Sequence, residues 1–191
     1  KSFLNINLSF ISLEELKAIF EKNFESETGE AVGTVFFDEI NNANIDLQNF
    51  ILAVLNKKES SGNTYENVKI LTSSSRDLKE AIENGRFRED LYYRLNEVSL
   101  VIPLLEERLE DIPELATHFL KEFSKNDIEP KSLTKNSIEL IKKKKWSGNV
   151  RELRNFIGRL SLVSNTDIIS EKTTKHELSM IAPEEAEINA L

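Results

Sequence analysis

The hydrophobic pattern of this 191-residue chain changes character about halfway along its length. In the first half, short apolar runs at residues 3–8, 34–37 and 68–72 alternate with stretches in which apolar residues recur at helical spacing. A last apolar run at residues 98–102 is closed by Pro103. Because strands that alternate with helices are typical of βαβ units, this half predicts a mostly parallel sheet.

Four helices are predicted in this half, at residues 12–24, 47–55, 78–84 and 87–95. Ser12 is a suitable N-cap for the first helix, and Glu15 completes a capping-box pattern three residues later. The polar stretches 25–33 and 57–67 are predicted to be loops.

The second half carries helical patterns only, and no strand is predicted after Leu104. Asp111 is expected to cap a helix that has Pro113 in its first turn, and Thr134 to cap a helix that runs through Lys144. Asn149 opens a third helix, and residues 170–178 suggest a short fourth. We therefore predict an α/β subdomain at residues 1–105, a small all-α subdomain at 106–179 and a linker or tail at 180–191.

Composition excludes several classes of protein. The 25 Lys and Arg residues against 33 Asp and Glu give a net charge of −8, which argues against a direct nucleic-acid binder. The absence of Cys excludes disulfide scaffolds and thiolate zinc sites. No apolar run approaches the roughly 20 residues that a membrane-spanning helix needs. His118 and His176 have no spacing that suggests a shared metal.

The first candidate site is the pair Asp38 and Glu39, which ends the apolar run 34–37. Ligands of open α/β folds bind at the carboxyl ends of the parallel strands. In nucleoside triphosphatases, the first acid of such a pair holds Mg²⁺ through water and the second polarises the attacking water. The alternative is that the two acids simply end the buried strand and begin a loop.

The second candidate is the segment 85–95, GRFREDLYYRL, which contains Arg88 and Arg94. Six residues separate these arginines, so on a helix they point in different directions. An arginine presented to a phosphate is one interpretation. Local ion pairs of Asp90 with Arg86 and with Arg94 are the other.

The third candidate is WSGNVREL at residues 146–153, where Arg151 lies in the first turn of a predicted helix. A cation at that position opposes the helix dipole, so an anion or the neighbouring Glu152 must compensate it. The preceding run of four lysines, residues 142–145, either solvates a helix end or forms a nucleic-acid patch.

These motifs occur together, and in one order, in a known family. The order of GTVFFDEI (33–40), residues 47–55, GRFREDLYYRL, PLLEERLEDI (103–112) and WSGNVREL resembles the central AAA+ domain of sigma-54-dependent transcriptional activators. These are bacterial enhancer-binding proteins of the NtrC type, and many are response regulators of two-component systems. The resemblance covers about residues 2–180 and implies a P-loop NTPase-like fold with a helical lid.

The resemblance also implies roles for particular residues. Asp38 and Glu39 match the Walker B acids, and Asn7 matches the asparagine that restrains the Walker B glutamate. Arg88 and Arg94 match the arginine fingers that reach the nucleotide of a neighbouring subunit in a ring. Arg151 matches the sensor 2 arginine of the lid. The implied cofactors are ATP or ADP and Mg²⁺, which Asp38 would hold through water.

The sequence departs from the family pattern in four places. It contains no Gly-x-x-x-x-Gly-Lys-Ser/Thr phosphate loop (Walker A), and no GAFTGA motif between Phe20 and Gly33. Ser75 stands where the sensor 1 asparagine is expected, and no helix-turn-helix follows Leu178. We therefore expect a chain that begins after the phosphate loop, with an incomplete nucleotide site.

Three hypotheses of function follow from the resemblance and its departures. The first is a bacterial, cytoplasmic transcription-regulator core that self-associates but does not remodel sigma-54 polymerase. In this hypothesis RNA polymerase is a partner of the parent protein, and this segment contacts neither DNA nor membrane. The second is a degenerate scaffold that uses no nucleotide. The third is an ATP-hydrolysing activator whose phosphate loop lies upstream of this segment.

Overall fold

A computed structural model describes residues 2–24, 33–58, 65, 67–124 and 129–181. The chain divides into two compact units, Lys1–Leu100 and Val101–Leu191. The predicted loop 25–33, apart from Gly33, and most of the predicted tail 180–191 lie outside the described residues. No helix in the described ranges is long and apolar enough to cross a membrane.

The first unit is built on a parallel sheet of three strands in the order β1 (Ser2–Asn7), β2 (Gly33–Asp38) and β3 (Val68–Thr72). Helix α1 (Leu13–Phe24) connects the first two strands, and α2 (Ile45–Lys58) follows the second. Helices α3 (Leu78–Glu83) and α4 (Glu89–Leu95) complete the unit. The predicted βαβ pattern is therefore confirmed.

The capping box predicted for α1 forms in the structure. The backbone N–H of Ser12 donates to Glu15 Oε2 at 2.9 Å, and the backbone N–H of Glu15 donates to Ser12 Oγ at 3.2 Å. The backbone N–H and the hydroxyl of Ser12 both donate to the Glu15 carboxylate, and these two bonds lower the pKa of Glu15. Two N–H groups that a helix start leaves without partners are satisfied in this way.

Phe20 lies at the centre of the core of the first unit and is 1% exposed. Its ring centroid lies 5.3–6.1 Å from those of four other aromatic residues, which are Phe24, Phe37, Phe50 and Tyr65. This cluster joins α1 and α2 to the buried side chains of β2. Strand β2, which ends at Asp38, therefore packs against this aromatic cluster.

The prediction of a strand at residues 98–102 is wrong. In the described range 67–124 this segment forms no strand, and Val98 and Leu100 are 83% and 89% exposed. A strand is stable only when a neighbour accepts its hydrogen bonds. Strand β3 is paired with β2, and the described residues contain no further strand that could bridge β3 to this segment.

The second unit is helical, with α5 (Ile112–Phe123), α6 (Lys135–Lys143), α7 (Asn149–Val163) and α8 (Glu171–Met180). Thr134 caps α6 as predicted, since its Oγ1 accepts the N–H of Ser137 at 3.2 Å. Asp111 occupies the N-cap position of α5, but its side chain makes no capping bond and lies 3.8 Å from Arg108.

This unit also contains a short parallel pair that the sequence does not predict. Strands β4 (Ser132–Leu133) and β5 (Ile168–Ile169) pair for two residues each. The expectation of no strand after Leu104 is therefore wrong in this detail. Two residues are too few to produce a recognisable alternation of apolar and polar side chains.

Candidate functional site

Three polar side chains meet at the carboxyl edge of the three-stranded sheet. Asn7 ends β1 and lies opposite Asp38, which ends β2. Ser73 follows β3, and its backbone N–H donates to Phe37 O at 2.9 Å. Since parallel strands point the same way, the ends of all three strands meet at one edge, where open sheets bind ligands.

Both carboxylate oxygens of Asp38 accept hydrogen bonds. Ser73 Oγ donates to Oδ1 at 2.5 Å, and Asn7 Nδ2 donates to Oδ2 at 3.3 Å. The backbone carbonyl of Asp38 also accepts the N–H of Leu8 at 3.0 Å. The carboxylate is therefore fixed in orientation by uncharged donors from both neighbouring strands.

Glu39 adopts a left-handed backbone conformation, with φ 57° and ψ 51°. A residue other than glycine in this region costs on the order of 1 kcal/mol or more, and such residues cluster at functional sites. The N–H of Glu39 donates to Ser73 Oγ at 3.2 Å, and the next N–H, of Ile40, donates to Ser73 O at 2.9 Å. Ser73 thus holds the strained turn through both its side chain and its backbone.

The contact between Asn7 and Glu39 that the family resemblance implies does not form in this structure. The side-chain amide of Asn7 donates to Asp38, and the Glu39 carboxylate instead accepts a hydrogen bond from Ser75 Oγ at 2.6 Å. The strand register explains the difference, because it places Asn7 beside Asp38. The left-handed turn then carries Glu39 towards the segment after β3.

Ser75 lies beside Glu39, and two residues that the prediction did not name lie at the same sheet edge. Ser73 is the donor to Asp38, and Asn41 Oδ1 accepts from Ser74 Oγ at 3.0 Å and from the N–H of Ser75 at 3.2 Å. The signal was present in the sequence as three consecutive serines directly after the apolar run 68–72. Only the last of them matched a family motif.

The guanidinium of Arg88, at the start of α4, is held by two side chains. Its Nε and one terminal nitrogen donate to the two carboxylate oxygens of Asp90 at 2.9 and 2.7 Å. Its other terminal nitrogen donates to Asn49 Oδ1 at 2.6 Å. The hydrogen bond between Arg88 and Asp90 raises the pKa of the guanidinium and lowers the pKa of the carboxyl. Asp90 thus pairs with Arg88, whereas the local alternative expected pairs with Arg86 and Arg94.

Arg94 lies in the last turn of α4 and is separated from Arg88 by the length of that helix. Its side chain lines a cavity of about 440 Å³ whose other walls include Leu71 and Thr72 of β3 and the exposed residues Glu97, Val98 and Leu100. The two arginines therefore serve different surroundings, as their spacing predicts.

Arg151 belongs to the second unit, where it is exposed in the first turn of α7. The neighbouring Glu152, which the sequence offered as a compensating anion, has other partners: its Oε2 accepts the N–H of Gly148 at 2.9 Å. Lys144 lies 3.4 Å from Glu152 Oε1, and Lys142 lies 3.7 Å from Glu139. Two of the four consecutive lysines thus have acidic partners.

Asn149 fixes the WSGN turn that precedes α7. Its backbone is left-handed with φ 52°, and its Oδ1 accepts the N–H of Leu105 at 2.8 Å. Trp146 is buried, and its Nε1 donates to Ile141 O at 2.9 Å. The motif that carries Arg151 therefore owes its shape to packing within the second unit.

No three His, Cys, Asp or Glu side chains within the described part of the chain lie close enough together to hold a metal ion. A metal ion held by protein side chains alone therefore has no ready site there. Mg²⁺ differs from most metals because it keeps several waters and is bound through one or two carboxylates together with substrate phosphates. Asp38, a single carboxylate held by the Ser73 hydroxyl and the Asn7 amide, fits that mode of binding.

Comparison with known protein families matches nearly the whole chain in two parts. The sigma-54 interaction domain family matches residues 23–101, and the AAA+ ATPase lid domain family matches residues 106–190. The domain boundaries predicted from the sequence, 1–105 for the α/β subdomain and 106–179 for the lid, stay a prediction.

Two curated regulators are similar over most of the chain. The DNA-binding transcriptional regulator NtrC of Rhizobium meliloti (strain 1021) is 40% identical over 166 residues, 84% of this chain and 34% of that protein. The Nif-specific regulatory protein of Azotobacter vinelandii is 38% identical over 176 residues, 87% of this chain and 33% of that protein. The chain thus spans about a third of the length of these relatives.

A solved structure shares the fold of the whole chain. NtrX from Brucella abortus, crystallised in complex with ADP, aligns with a TM-score of 0.73 and 28% identity over 98% of this chain and 46% of its own. This likeness confirms the predicted AAA+ fold, and the two regulators confirm the resemblance drawn from the motifs. The chain belongs to the family of AAA+ sigma-54 interaction domains found in NtrC-type transcriptional regulators.

Proposed function

We propose that this domain is the self-association core of a bacterial transcription regulator and that it does not remodel sigma-54 polymerase. The observation that carries the proposal is that the Arg88 side chain is fixed in orientation and yet partly exposed. Its guanidinium is fixed by Asp90 and Asn49, and its side chain is still 37% exposed. An arginine that is already oriented loses little conformational entropy when it meets an anionic group of a neighbouring subunit.

The second half of the proposal rests on a sequence departure. The family contact with sigma-54 is made by a GAFTGA loop, and the sequence between Phe20 and Gly33 contains no such motif. The regulator would therefore act on another form of RNA polymerase, or use its assembly only to bring other domains together. Signal reception and DNA binding are assigned to residues of a longer protein, because the chain spans a third of its relatives.

An in vitro transcription assay tests this part directly. The complete regulator, ATP and sigma-54 polymerase are incubated on a promoter that the regulator binds, and open complexes are detected by permanganate footprinting. We expect no open complexes above the level without regulator. Open complexes that depend on both ATP and the regulator would overturn the proposal.

A second candidate function, nucleotide binding with hydrolysis, is favoured by the arrangement of the acids. Mg²⁺ would neutralise charge on the phosphates, as it does in other phosphoryl transfers. Asp38 would hold the ion through water, and Glu39 lies on a strained turn next to Ser75. Arg94 and Arg151 would contact phosphates, Arg94 in a neighbouring subunit. The missing phosphate loop motif weighs against this candidate for the 191-residue chain.

Calorimetric titration with ATP and Mg²⁺ separates the two candidates. The self-association proposal expects no heat of binding for the 191-residue chain, and the same result for Glu39→Gln. Saturable binding, together with phosphate release that Glu39→Gln abolishes, would establish the second candidate instead.

A further inference from the structure

Gln48 is a fully buried polar side chain that no part of the proposed site uses. It lies in the first turns of α2 and is 0% exposed. A buried amide group is costly unless its donors and acceptor find partners. Gln48 has three, because Nε2 donates to Ala43 O at 2.7 Å and to Arg86 O at 3.0 Å, and Oε1 accepts the N–H of Arg88 at 2.9 Å.

The three partners of Gln48 belong to two functional segments. Ala43 follows the 3₁₀ turn Ile40–Asn42, which begins directly after Glu39. Arg86 and Arg88 bracket the loop that ends at the start of α4. One side chain thus joins the turn behind the acids to the loop that carries the arginine, in the middle of an otherwise apolar core.

The next residue of α2 extends this arrangement to the surface. Asn49 is exposed and accepts a hydrogen bond from the guanidinium of Arg88 at 2.6 Å. Gln48 therefore holds the backbone of Arg88, while Asn49 and Asp90 hold its side chain. Packing alone does not require a polar residue that hydrogen-bonds to the backbone at both ends of the loop 86–88.

We propose that Gln48 is the positioning residue for Arg88, and that it couples the turn behind Glu39 to the arginine offered to a neighbouring subunit. This inference rests on the proposed self-association through Arg88. Gln48 itself touches no partner subunit and acts only through the loop 86–88.

Amide hydrogen exchange measured by NMR tests the positioning without any assembly. Gln48→Met removes all three hydrogen bonds with little change of volume, and Gln48→Glu keeps the acceptor for Arg88 but loses both donors. We expect the Arg88 amide to exchange about tenfold faster in Gln48→Met and to stay within about threefold of its original rate in Gln48→Glu. Equal acceleration of the Arg88 amide and of the amides of β2 in both variants would show a merely structural role and overturn the proposal.

Asn49→Ala provides a variant that does not disturb the core, and Asn56→Ala is its matched control on the exposed face of the same helix. Asn49→Ala is expected to accelerate exchange at the terminal guanidinium nitrogen of Arg88 that donates to Asn49 by severalfold, because that group loses its acceptor. Identical guanidinium exchange in Asn49→Ala and Asn56→Ala would contradict the idea that α2 positions this arginine.

A double-mutant cycle on self-association tests the role of that positioning. Sedimentation velocity of the full chain is expected to show a dissociation constant raised about tenfold or more by either Gln48→Met or Arg88→Ala, with little further change in the double variant. Effects that multiply would mean that Gln48 acts independently of Arg88 and would overturn the coupling. A monomeric unsubstituted chain would refute the proposed function instead, and the exchange experiment would still decide where Gln48 places the loop.

Discussion

Replacing Ser73 with alanine should loosen the sheet edge that carries the acids. The substitution removes a hydroxyl that donates to Asp38 Oδ1 at 2.5 Å and accepts the N–H of Glu39 at 3.2 Å. Both partners remain in place, so the carboxylate loses one of its two side-chain donors and the strained turn loses a support.

The size of the effect follows from these two contacts. A hydrogen bond to a charged group contributes about 1.5–3 kcal/mol to stability, and a neutral one about 0.5–1.5 kcal/mol. The site is partly exposed, so water replaces part of what is lost. We therefore expect Ser73→Ala to lower the free energy of unfolding of the first unit by about 2 kcal/mol, which corresponds to about 30-fold faster exchange of its protected amides.

Hydrogen exchange with mass spectrometry, followed on peptides of β1, β2 and β3, measures this change within the first unit. Ser99→Ala is the matched control, because Ser99 is exposed and makes no hydrogen bond among the described residues. The control should alter stability by no more than about 0.5 kcal/mol. If the amides of β1, β2 and β3 exchange at the same rate in Ser73→Ala and in Ser99→Ala, the assignment of Ser73 as the residue that orients Asp38 is refuted.

Three further predictions concern packing and charge. Phe20→Ala should destabilise the chain by about 3–5 kcal/mol in urea denaturation followed by circular dichroism, since it empties the centre of the aromatic cluster, and Phe20→Leu should cost clearly less. Trp146→Phe should cost about 1–3 kcal/mol by the same measurement, because the buried carbonyl of Ile141 loses the indole donor at 2.9 Å and keeps only the longer bond from the N–H of Lys144 at 3.4 Å. Asp90 has a lowered pKa through its bond with Arg88, so its stabilising effect is present above the ordinary carboxyl pKa and is lost as pH falls through the lowered value. The stability difference between the unsubstituted chain and Asp90→Asn should thus shrink as pH falls below the ordinary carboxyl pKa and vanish once Asp90 is protonated in the folded chain, and a difference that survives this protonation would show that the charge of Asp90 is not its cause.

Local signals of helix and strand were strong enough to predict most of the architecture. The capping residues Ser12 and Thr134 act as their patterns predict, and β3 has the bounds Val68–Thr72 that its apolar run indicates. Such features depend on residues close in sequence, whose preferences can be read without knowledge of the rest of the fold.

Features that depend on distant partners were predicted less well. The segment 98–102 has the composition of a strand, but a strand needs a neighbour along its whole length, and its sequence cannot say whether one is present. The partner of Asn7 likewise depends on the register of β1 against β2, since a shift of one residue would exchange Asp38 for Glu39. Gln48 carried no signal at all, because its three partners become visible only when α2 packs against the loop that ends at Arg88.

Sedimentation velocity of the unsubstituted chain beside Arg88→Ala and Arg159→Ala tests the central proposal most directly. Arg159 is an exposed arginine of α7 with no ion pair among the described residues, so it controls for the loss of a surface charge. We predict concentration-dependent assembly that Arg88→Ala weakens about tenfold or more and Arg159→Ala leaves unchanged. A chain that stays monomeric at every concentration, or assembly that is indifferent to Arg88, would contradict the proposal that this domain associates through its positioned arginine.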